Sequence, residues 1–170
     1  MTLASRVFAT SYLTGSFVLR SALTADRYFD KYRFESDPSL LAEIVEQLVP
    51  LVPAATEGLA GLELGGVPVA TVLSAVTGLP AFFVRKQAKK YGTERLCEGG
   101  DIKGRRLLVV EDVVTTAGQI VLSAQDLRSE GAVVTHALCV IDREAGGAEV
   151  LGGEKIELRS LFTMSELESA

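Results

Sequence analysis

The sequence predicts a single α/β domain in which helices flank a central parallel sheet. Two observations support this fold class: strand-like apolar runs alternate with helical segments, and the apolar run at 107–110 ends in two adjacent carboxylates. No internal repeat or interdomain linker interrupts the pattern. At 170 residues the chain is long enough to bury one full core. We therefore expect one domain over residues 1–170, with a small N-terminal hood over about 1–35.

Local signals support each element of this fold. A short amphipathic helix is predicted around Arg6, and Asp37 with Pro38 begins a second helix that ends before Pro50. The later elements, in chain order, are a strand over 57–61, a helix over 66–78, strands over 81–85 and 106–111, a helix near 117–130, a strand over 133–141, and a strand-like piece with a helical turn within 155–169. Strands that alternate with helices indicate parallel pairing through right-handed crossovers.

The composition argues against several classes of partner. With 22 acidic and 17 basic residues the net charge is −5, which disfavours nucleic acid as the main partner. No apolar run approaches the roughly 20 residues that cross a bilayer, and no signal peptide is visible, so no membrane association is predicted. Cys97 and Cys139 lack metal-ligand spacing, so reduced thiols in the cytoplasm are expected. The only histidine, His136, lies in mid-strand and is interpreted as structural.

The segment after the apolar run combines two kinds of ligand chemistry. Glu111 and Asp112 end the run, a turn of small and hydroxyl residues follows at 115–119, and a helix then runs to Gly131. The backbone N–H groups of such a turn and the helix N-terminus suit a phosphate. The carboxylates suit ribose hydroxyls or a hydrated Mg²⁺ instead. A phosphoribosyl group presents both, although receiver-like and flavodoxin-like domains also gather acidic residues at strand ends.

The run from Leu107 to Gln119 resembles the signature of the type I phosphoribosyltransferases, which bind 5-phosphoribosyl 1-diphosphate (PRPP). The resemblance implies that Asp112 with Glu111 holds the ribose hydroxyls, directly or through the water shell of Mg²⁺. It also implies a 5′-phosphate loop, so that the PRPP-binding residues in this run are Glu111, Asp112, Val113, Val114, Thr115, Thr116, Ala117, Gly118 and Gln119. Ala117 stands where the family usually has glycine, and a Cβ there restricts φ > 0. We expect the change to be tolerated, because the backbone does the binding.

A second motif is a run of cations after the strand predicted at 81–85. Arg85, Lys86, Lys89 and Lys90 fall within six residues. Such a run can be a solvated basic face. Here it follows a strand and leads into glycines, which predicts the base of a mobile loop that neutralises a charged leaving group.

The sequence from Val84 to Gly99 resembles the catalytic loop of orotate phosphoribosyltransferases. By this resemblance Arg85 and Lys86 reach the diphosphate, while Lys89 and Tyr91 sit on the moving loop and also bind PRPP. Lys86, Lys89 and Asp112 are the implied catalytic residues. The segment 61–68 resembles the diphosphate-binding turn but lacks a lysine that some bacterial members carry.

The implied orotate-binding residues come from several segments of the chain. They are Arg20, Tyr28, Phe29, Thr115 and Arg143. A guanidinium suits a planar ligand with carboxylate and carbonyl acceptors, because it can donate two parallel hydrogen bonds. Ala22 and Ala25 replace a usual glycine and serine in the same segment as Arg20, which leaves the choice of base open.

The resemblance implies transfer of the phosphoribosyl group from PRPP to orotate, giving orotidine 5′-monophosphate and diphosphate in pyrimidine (UMP) biosynthesis. Mg²⁺ is the implied cofactor. A homodimer with shared active sites is also implied, in which Lys89 acts in trans while Lys86, Glu111 and Asp112 act in cis. The alternatives are a phosphoribosyltransferase for another base and a non-catalytic PRPP-sensing regulator.

Overall fold

A computed structural model describes residues 1–18, 22–87 and 96–170. Helices and strands alternate through most of the chain, as predicted. In chain order they are α1 (Leu3–Ser11), β1 (Tyr12–Val18), β2 (Thr24–Phe29), α2 (Tyr32–Glu35), α3 (Pro38–Leu48), β3 (Gly58–Leu62), α4 (Gly66–Thr77), β4 (Ala81–Val84), β5 (Cys97–Glu98), β6 (Arg106–Val114), α5 (Gly118–Ser129), β7 (Val133–Asp142), α6 (Gly147–Gly153), β8 (Glu157–Thr163) and α7 (Met164–Ser169).

The central sheet has the strand order β5-β4-β3-β6-β7-β8. Its strands are parallel except for β5, which pairs antiparallel with β4 through Phe83–Glu98 and Val84–Cys97. The prediction of a central parallel sheet flanked by helices is confirmed, and the antiparallel edge strand is an addition to it. This strand is only two residues long, too short for an apolar pattern to reveal it.

The sheet separates two apolar layers. Along β6, Leu107 and Val109 pack with α5, whereas Leu108 and Val110 pack with α3 and α4. Successive side chains of a strand point to opposite faces, so this alternation is the expected one. It matters for the site because the two carboxylates that follow on the same strand also diverge to opposite faces.

The described residues among the first 35 cover the α3–α4 side of the sheet near the end of β6. β1 and β2 form a separate antiparallel pair, which the sequence analysis did not predict. Arg6 of α1 forms a two-pronged ion pair with Glu43 of α3, with N–O distances of 2.7 and 2.9 Å. Val7 and Phe34 of this N-terminal part are fully buried and belong to the same apolar cluster as α3 and α4.

Several predicted boundaries are confirmed and two features differ. The Asp37 side chain accepts hydrogen bonds from the first turn of α3, and α4 ends at Gly78, which has φ = 75°. The strand predicted to end at residue 111 continues to Val114, because its pairing with β7 persists to Asp142. The helix α6 was missed, since its glycines give it no clear apolar period. No helix in the described ranges is long and apolar enough to cross a membrane.

Candidate active site

The turn between β6 and α5 encloses the first part of the site. A cavity of about 230 Å³ is lined by Glu111, Val113, Val114, Thr115, Thr116, Ala117, Gly118, Gln119 and Ile120. All but one of the residues predicted for this part of the PRPP site therefore surround one cavity, and Asp112 is the exception. The N-terminus of the twelve-residue helix α5 opens onto it, which favours an anion at this point.

The backbone of this turn keeps the conformation that glycine would adopt. Ala117 has φ = 61° and ψ = 8° at the start of α5, a left-handed conformation that costs a residue with a Cβ atom some strain. Gly147 of α6 supports the turn from behind, where a Cβ atom would lie 2.5 Å from the Thr115 carbonyl oxygen. The sequence analysis did not single out Gly147, because its contact with the turn comes from another part of the chain.

Glu111 is the carboxylate that lines this cavity. It is partly buried, and one of its oxygens accepts a hydrogen bond from the Asp112 N–H at 3.2 Å. Burial, followed by the neighbouring Asp112 carboxylate, raises the pKa of Glu111 to about 8. A carboxylate with little solvent and few hydrogen-bond donors around it is stabilised strongly by a ligand that brings hydroxyl donors or a cation.

Asp112 lies on the other face of the strand. Its side chain is fully buried, Oδ1 accepts a hydrogen bond from the Val113 N–H at 2.6 Å, and Oδ2 lies 2.6 Å from Nζ of Lys31. Burial opposes its ionisation, but hydrogen bonds from Glu35 and Lys31 hold the pKa of Asp112 below its ordinary value. A direct contact of Asp112 with ribose remains a prediction.

Lys31 and Glu35, which received no role in the sequence analysis, complete this buried cluster. Burial, followed by a hydrogen bond to Asp112, raises the pKa of Glu35 to about 9, so Glu35 is neutral at pH 7. Burial works to lower the pKa of Lys31, but contact with the Asp112 carboxylate outweighs it and raises that pKa. The only local signal is that the two residues are four apart, which places them on one side of a helical turn.

The predicted diphosphate turn and the base of the cationic loop lie next to this cluster. At Gly65 a Cβ atom would come within 1.6 Å of Asp112 Oδ2, so the turn packs directly on that carboxylate. The Glu63 carboxylate accepts the Lys86 N–H at 2.5 Å. Nε of Arg85 lies 3.5 Å from Oε1 of Glu98. Lys86 is exposed at the edge of the sheet.

Three of the five predicted base-binding residues, Tyr28, Phe29 and Arg143, line a second cavity, whereas Thr115 lines the first one. The second cavity has a volume of about 210 Å³ and is lined by Tyr12, Arg27, Tyr28, Phe29, Arg143, Met164 and Glu168. The N–H of Arg143 donates to the Val114 carbonyl at 2.9 Å, which ties this pocket to the turn that follows β6. Tyr28 also stacks on Phe17, with ring centroids 5.5 Å apart. The contributions of the other lining residues were not predicted: Tyr12, Arg27, Met164 and Glu168.

Some of the residues named in the sequence analysis lie outside the described residues or away from both cavities. Arg20, Lys89 and Tyr91 lie outside the described residues. His136 lies within β7 with Nε2 3.6 Å from a Glu157 oxygen, away from both cavities. Ala22 has φ = 62°, so the alanine there adopts a glycine-like backbone.

Comparison with known proteins agrees with this geometry. Residues 39–159 match the family model described as "Phosphoribosyl transferase domain". An orotate phosphoribosyltransferase of Nocardioides sp. is 48% identical over 99% of this chain and 94% of its own length. That of Methanocella arvoryzae is 45% identical over 90% of this chain and 87% of its own.

A solved structure extends the similarity to three dimensions. The Mycobacterium tuberculosis orotate phosphoribosyltransferase in complex with PRPP superposes with a TM-score of 0.83 at 30% identity, over 98% of this chain and 96% of the other. The family model covers most of the chain, and the relatives match it over nearly their full length. The chain belongs to the phosphoribosyltransferase family and, within it, to the orotate phosphoribosyltransferases.

Proposed function

We propose that the chain transfers the 5-phosphoribosyl group from PRPP to orotate, which gives orotidine 5′-monophosphate and diphosphate and serves UMP synthesis. The observation that carries this proposal is the junction of the two cavities. The Arg143 N–H donates to the Val114 carbonyl, so the pocket lined by Tyr28, Phe29 and Arg143 adjoins the turn suited to a phosphate.

The 5′-phosphate binds in the turn at 115–119. The backbone N–H groups at the start of α5 and the hydroxyls of Thr115 and Thr116 supply donors, and the helix dipole adds a partial positive charge. Most of these donors are backbone groups, so the geometry of the backbone decides the binding. Ala117 has the left-handed conformation that glycine would adopt, and it therefore keeps that geometry.

The ribose hydroxyls face Glu111, the carboxylate that lines the same cavity. Asp112 is ion-paired on the opposite face, so its contribution is indirect, through the positions of Glu111 and the diphosphate turn. One cavity-facing carboxylate fits a hydrated Mg²⁺ carried by the substrate's phosphates, because Mg²⁺ keeps several waters and uses few protein ligands. When bound, the ion would offset charge on the diphosphate.

The leaving diphosphate departs toward Arg85 and Lys86, with Lys89 and Tyr91 completing the cationic loop. Loss of diphosphate leaves positive charge on the anomeric carbon, and no protein nucleophile is needed for this step. The protein contributes position and preorganised charge. On the other side, Arg143 pairs with the orotate carboxylate or carbonyls, Tyr28 and Phe29 flank the ring, and Thr115 borders both substrates.

The enzyme acts as a homodimer in the cytoplasm, with Lys89 of one subunit serving the site of the other. Mixing Lys89→Ala with Asp112→Asn subunits tests this arrangement. Each parent should be nearly inactive, and the mixture should regain up to about a quarter of wild-type activity, since half the subunits form heterodimers with one intact site. No recovery despite demonstrated subunit exchange would place Lys89 in its own subunit's site.

The activity itself is tested by diphosphate release from PRPP and Mg²⁺ with a panel of bases. Release with orotate should exceed that with adenine, hypoxanthine or uracil by at least about 100-fold, because buried polar pairing discriminates strongly. Comparable turnover of a purine would favour another base, and PRPP binding without turnover of any base would favour a regulator.

A further inference from the structure

The ion pair between Lys31 and Asp112 joins the hood to the end of β6. Lys31 immediately precedes α2, and Asp112 lies 81 positions later in the chain. Their N–O distance is 2.6 Å, with the lysine side chain 33% exposed and the aspartate 0% exposed. A pair with one fully buried partner is sensitive to the loss of the other, because the remaining charge is left without compensation.

Without the Lys31 ammonium, the carboxyl groups around this pair would repel an anionic substrate. Glu35, Glu111 and Asp112 bring three carboxyl groups together, and among the described residues Lys31 is the ammonium that contacts them. Glu35 relieves part of the excess by remaining protonated. Asp112 remains ionised, and its charge lies one residue from the cavity that must accept a phosphorylated ligand.

Packing links the same carboxylate to the diphosphate turn. The backbone of Gly65 lies so close to Asp112 Oδ2 that even a Cβ atom would overlap it. Gly66 is similarly tight against β6, where a Cβ atom would lie 2.2 Å from the Val110 carbonyl oxygen. A shift of the Asp112 carboxylate would therefore be transmitted to the turn.

A proton on Glu35 completes the cluster. Glu35 Oε1 is buried and has no hydrogen-bond partner among the described residues, whereas Asp112 Oδ2, also buried, contacts the Lys31 ammonium. A protonated Glu35 can donate to Asp112, which gives the Glu35 oxygen a partner. The Asp112 carboxylate is then held by Lys31, Glu35 and the Val113 N–H together.

We propose that Lys31 is a positioning residue for PRPP: it holds Asp112 beneath the Gly65–Gly66 turn and compensates the carboxylate charge that the substrate's phosphates approach. This inference rests on the proposed function and deepens it by assigning a PRPP-side role to a residue of the hood. Lys31 acts through Asp112 and does not need to touch PRPP.

The test measures PRPP binding at equilibrium, with Mg²⁺ and without orotate, by titration calorimetry. Lys31→Met keeps most of the side-chain volume and removes the charge, and it should weaken PRPP binding by about tenfold or more. The KM for orotate should change by less than about threefold, since Lys31 does not line the base pocket. Lys31→Arg keeps the charge and should lose less than Lys31→Met.

Arg6→Met is the matched control. It removes another hood cation from an ion pair, with Glu43, that lies on α1 and α3 and touches neither cavity. Both KM values and the PRPP affinity should remain within about twofold of the wild type. Thermal unfolding of each variant separates loss of fold from loss of binding. Lys31→Gln, which also removes the charge, carries the test if Lys31→Met does not fold.

A double-mutant cycle identifies the route of the effect. In an Asp112→Asn background, Lys31→Met should weaken PRPP binding by less than about threefold, because the lysine then has no carboxylate to hold. An undiminished loss in that background would mean that Lys31 acts on PRPP directly and would overturn the proposal. So would wild-type PRPP affinity in Lys31→Met, or a loss confined to orotate. Absence of turnover by the wild type would contradict the proposed function alone, since PRPP binding still reports on Lys31.

Discussion

The phosphate cavity and the base pocket lie at the same edge of the sheet but are built in different ways. The phosphate cavity comes from one continuous stretch, 111–120, in which a strand, a turn and a helix follow each other. The base pocket draws on the β1–β2 pair, the end of β7 and the C-terminal helix. A site built from one local segment takes most of its geometry from local structure, with Gly147 of α6 as a support, whereas the base pocket depends on how distant segments pack.

This difference predicts that substitutions in the two regions affect the two substrates separately. The Lys31–Asp112 pair is where the regions meet, since it fastens the hood, which carries Tyr28 and Phe29, to the strand that carries Glu111. Variants on either side of that pair should therefore reveal which substrate each region serves.

The largest effect is expected at Glu111. Glu111→Gln replaces the carboxyl group that lines the phosphate cavity with an amide that cannot ionise toward ribose hydroxyls or Mg²⁺, and it should lower kcat/KM for PRPP by roughly one to three orders of magnitude, as for loss of a charged transition-state contact. Steady-state kinetics with varied PRPP at saturating orotate measures it. Glu46→Gln, on the exposed side of α3, is the control. Near-normal kinetics would mean that the sugar is held elsewhere.

A comparable test of the base pocket uses Arg143. Arg143→Met should raise the KM for orotate by roughly 10- to 100-fold and leave the affinity for PRPP within about threefold, because it removes a charge-assisted pair with the base. Arg27→Met, at the rim of the same pocket, shows whether the second guanidinium shares the role. A loss of PRPP affinity equal to that of orotate would contradict the division into two regions.

Gly65 tests the junction between the regions. Gly65→Ala places a Cβ atom where Asp112 Oδ2 now lies, so the turn or the carboxylate must move, at a cost of about 1–3 kcal/mol in the free energy of unfolding. The affinity for PRPP should fall as well, because the same movement displaces the diphosphate turn. Gly152→Ala, where a Cβ atom meets nothing within 4 Å, is the control and should change stability little. Unchanged PRPP binding in Gly65→Ala would show that the turn and Asp112 move independently.

The most gradual effect is a pH dependence of stability, which is spread over several pH units. Glu35 and Glu111 have pKa values raised by burial to about 9 and about 8, from an ordinary value of 4.5. Between about pH 5 and 8 the unfolded chain releases protons that the folded protein retains, so the free energy of unfolding should fall as pH rises, by at most about 1.4 kcal/mol per pH unit for each group. Their contribution is fully present below pH 4.5.

Glu35→Gln isolates one of these two groups. The amide can still donate to Asp112 but does not titrate, so the variant should lose stability less steeply than the wild type between pH 6 and 8. Urea unfolding at several pH values without substrates measures the slopes. Carboxyl groups with lowered pKa values, such as Asp112, act only at lower pH and do not disturb this window. Equal slopes in the two proteins would show that Glu35 is ionised in the fold.

The sequence predicted the local part of the site well, because its residues are neighbours in the chain. The turn at 115–119 and its helix follow from the change of period after the apolar run and from the small residues between them. The opposite orientations of Glu111 and Asp112 were not predicted, since the strand was expected to end at residue 111. Once it continues to Val114, adjacent side chains must point to opposite faces.

The non-local part could not be predicted from spacing. Lys31 reaches Asp112 only because the hood packs over the α3–α4 side of the sheet. Arg27 and Met164 enter the base pocket for the same kind of reason. The two alanines that stand at usual glycine positions, Ala22 and Ala117, both adopt positive φ, a conformation that glycine adopts readily.

Equilibrium binding of PRPP with Mg²⁺ and without orotate tests the division between the two regions most directly. The wild type and Arg143→Met should bind PRPP with affinities within about threefold of each other. Glu111→Gln should bind it at least about tenfold more weakly. If Arg143→Met lost PRPP binding while Glu111→Gln retained it, the assignment of the phosphate cavity to PRPP and of the hood-side pocket to orotate would be contradicted.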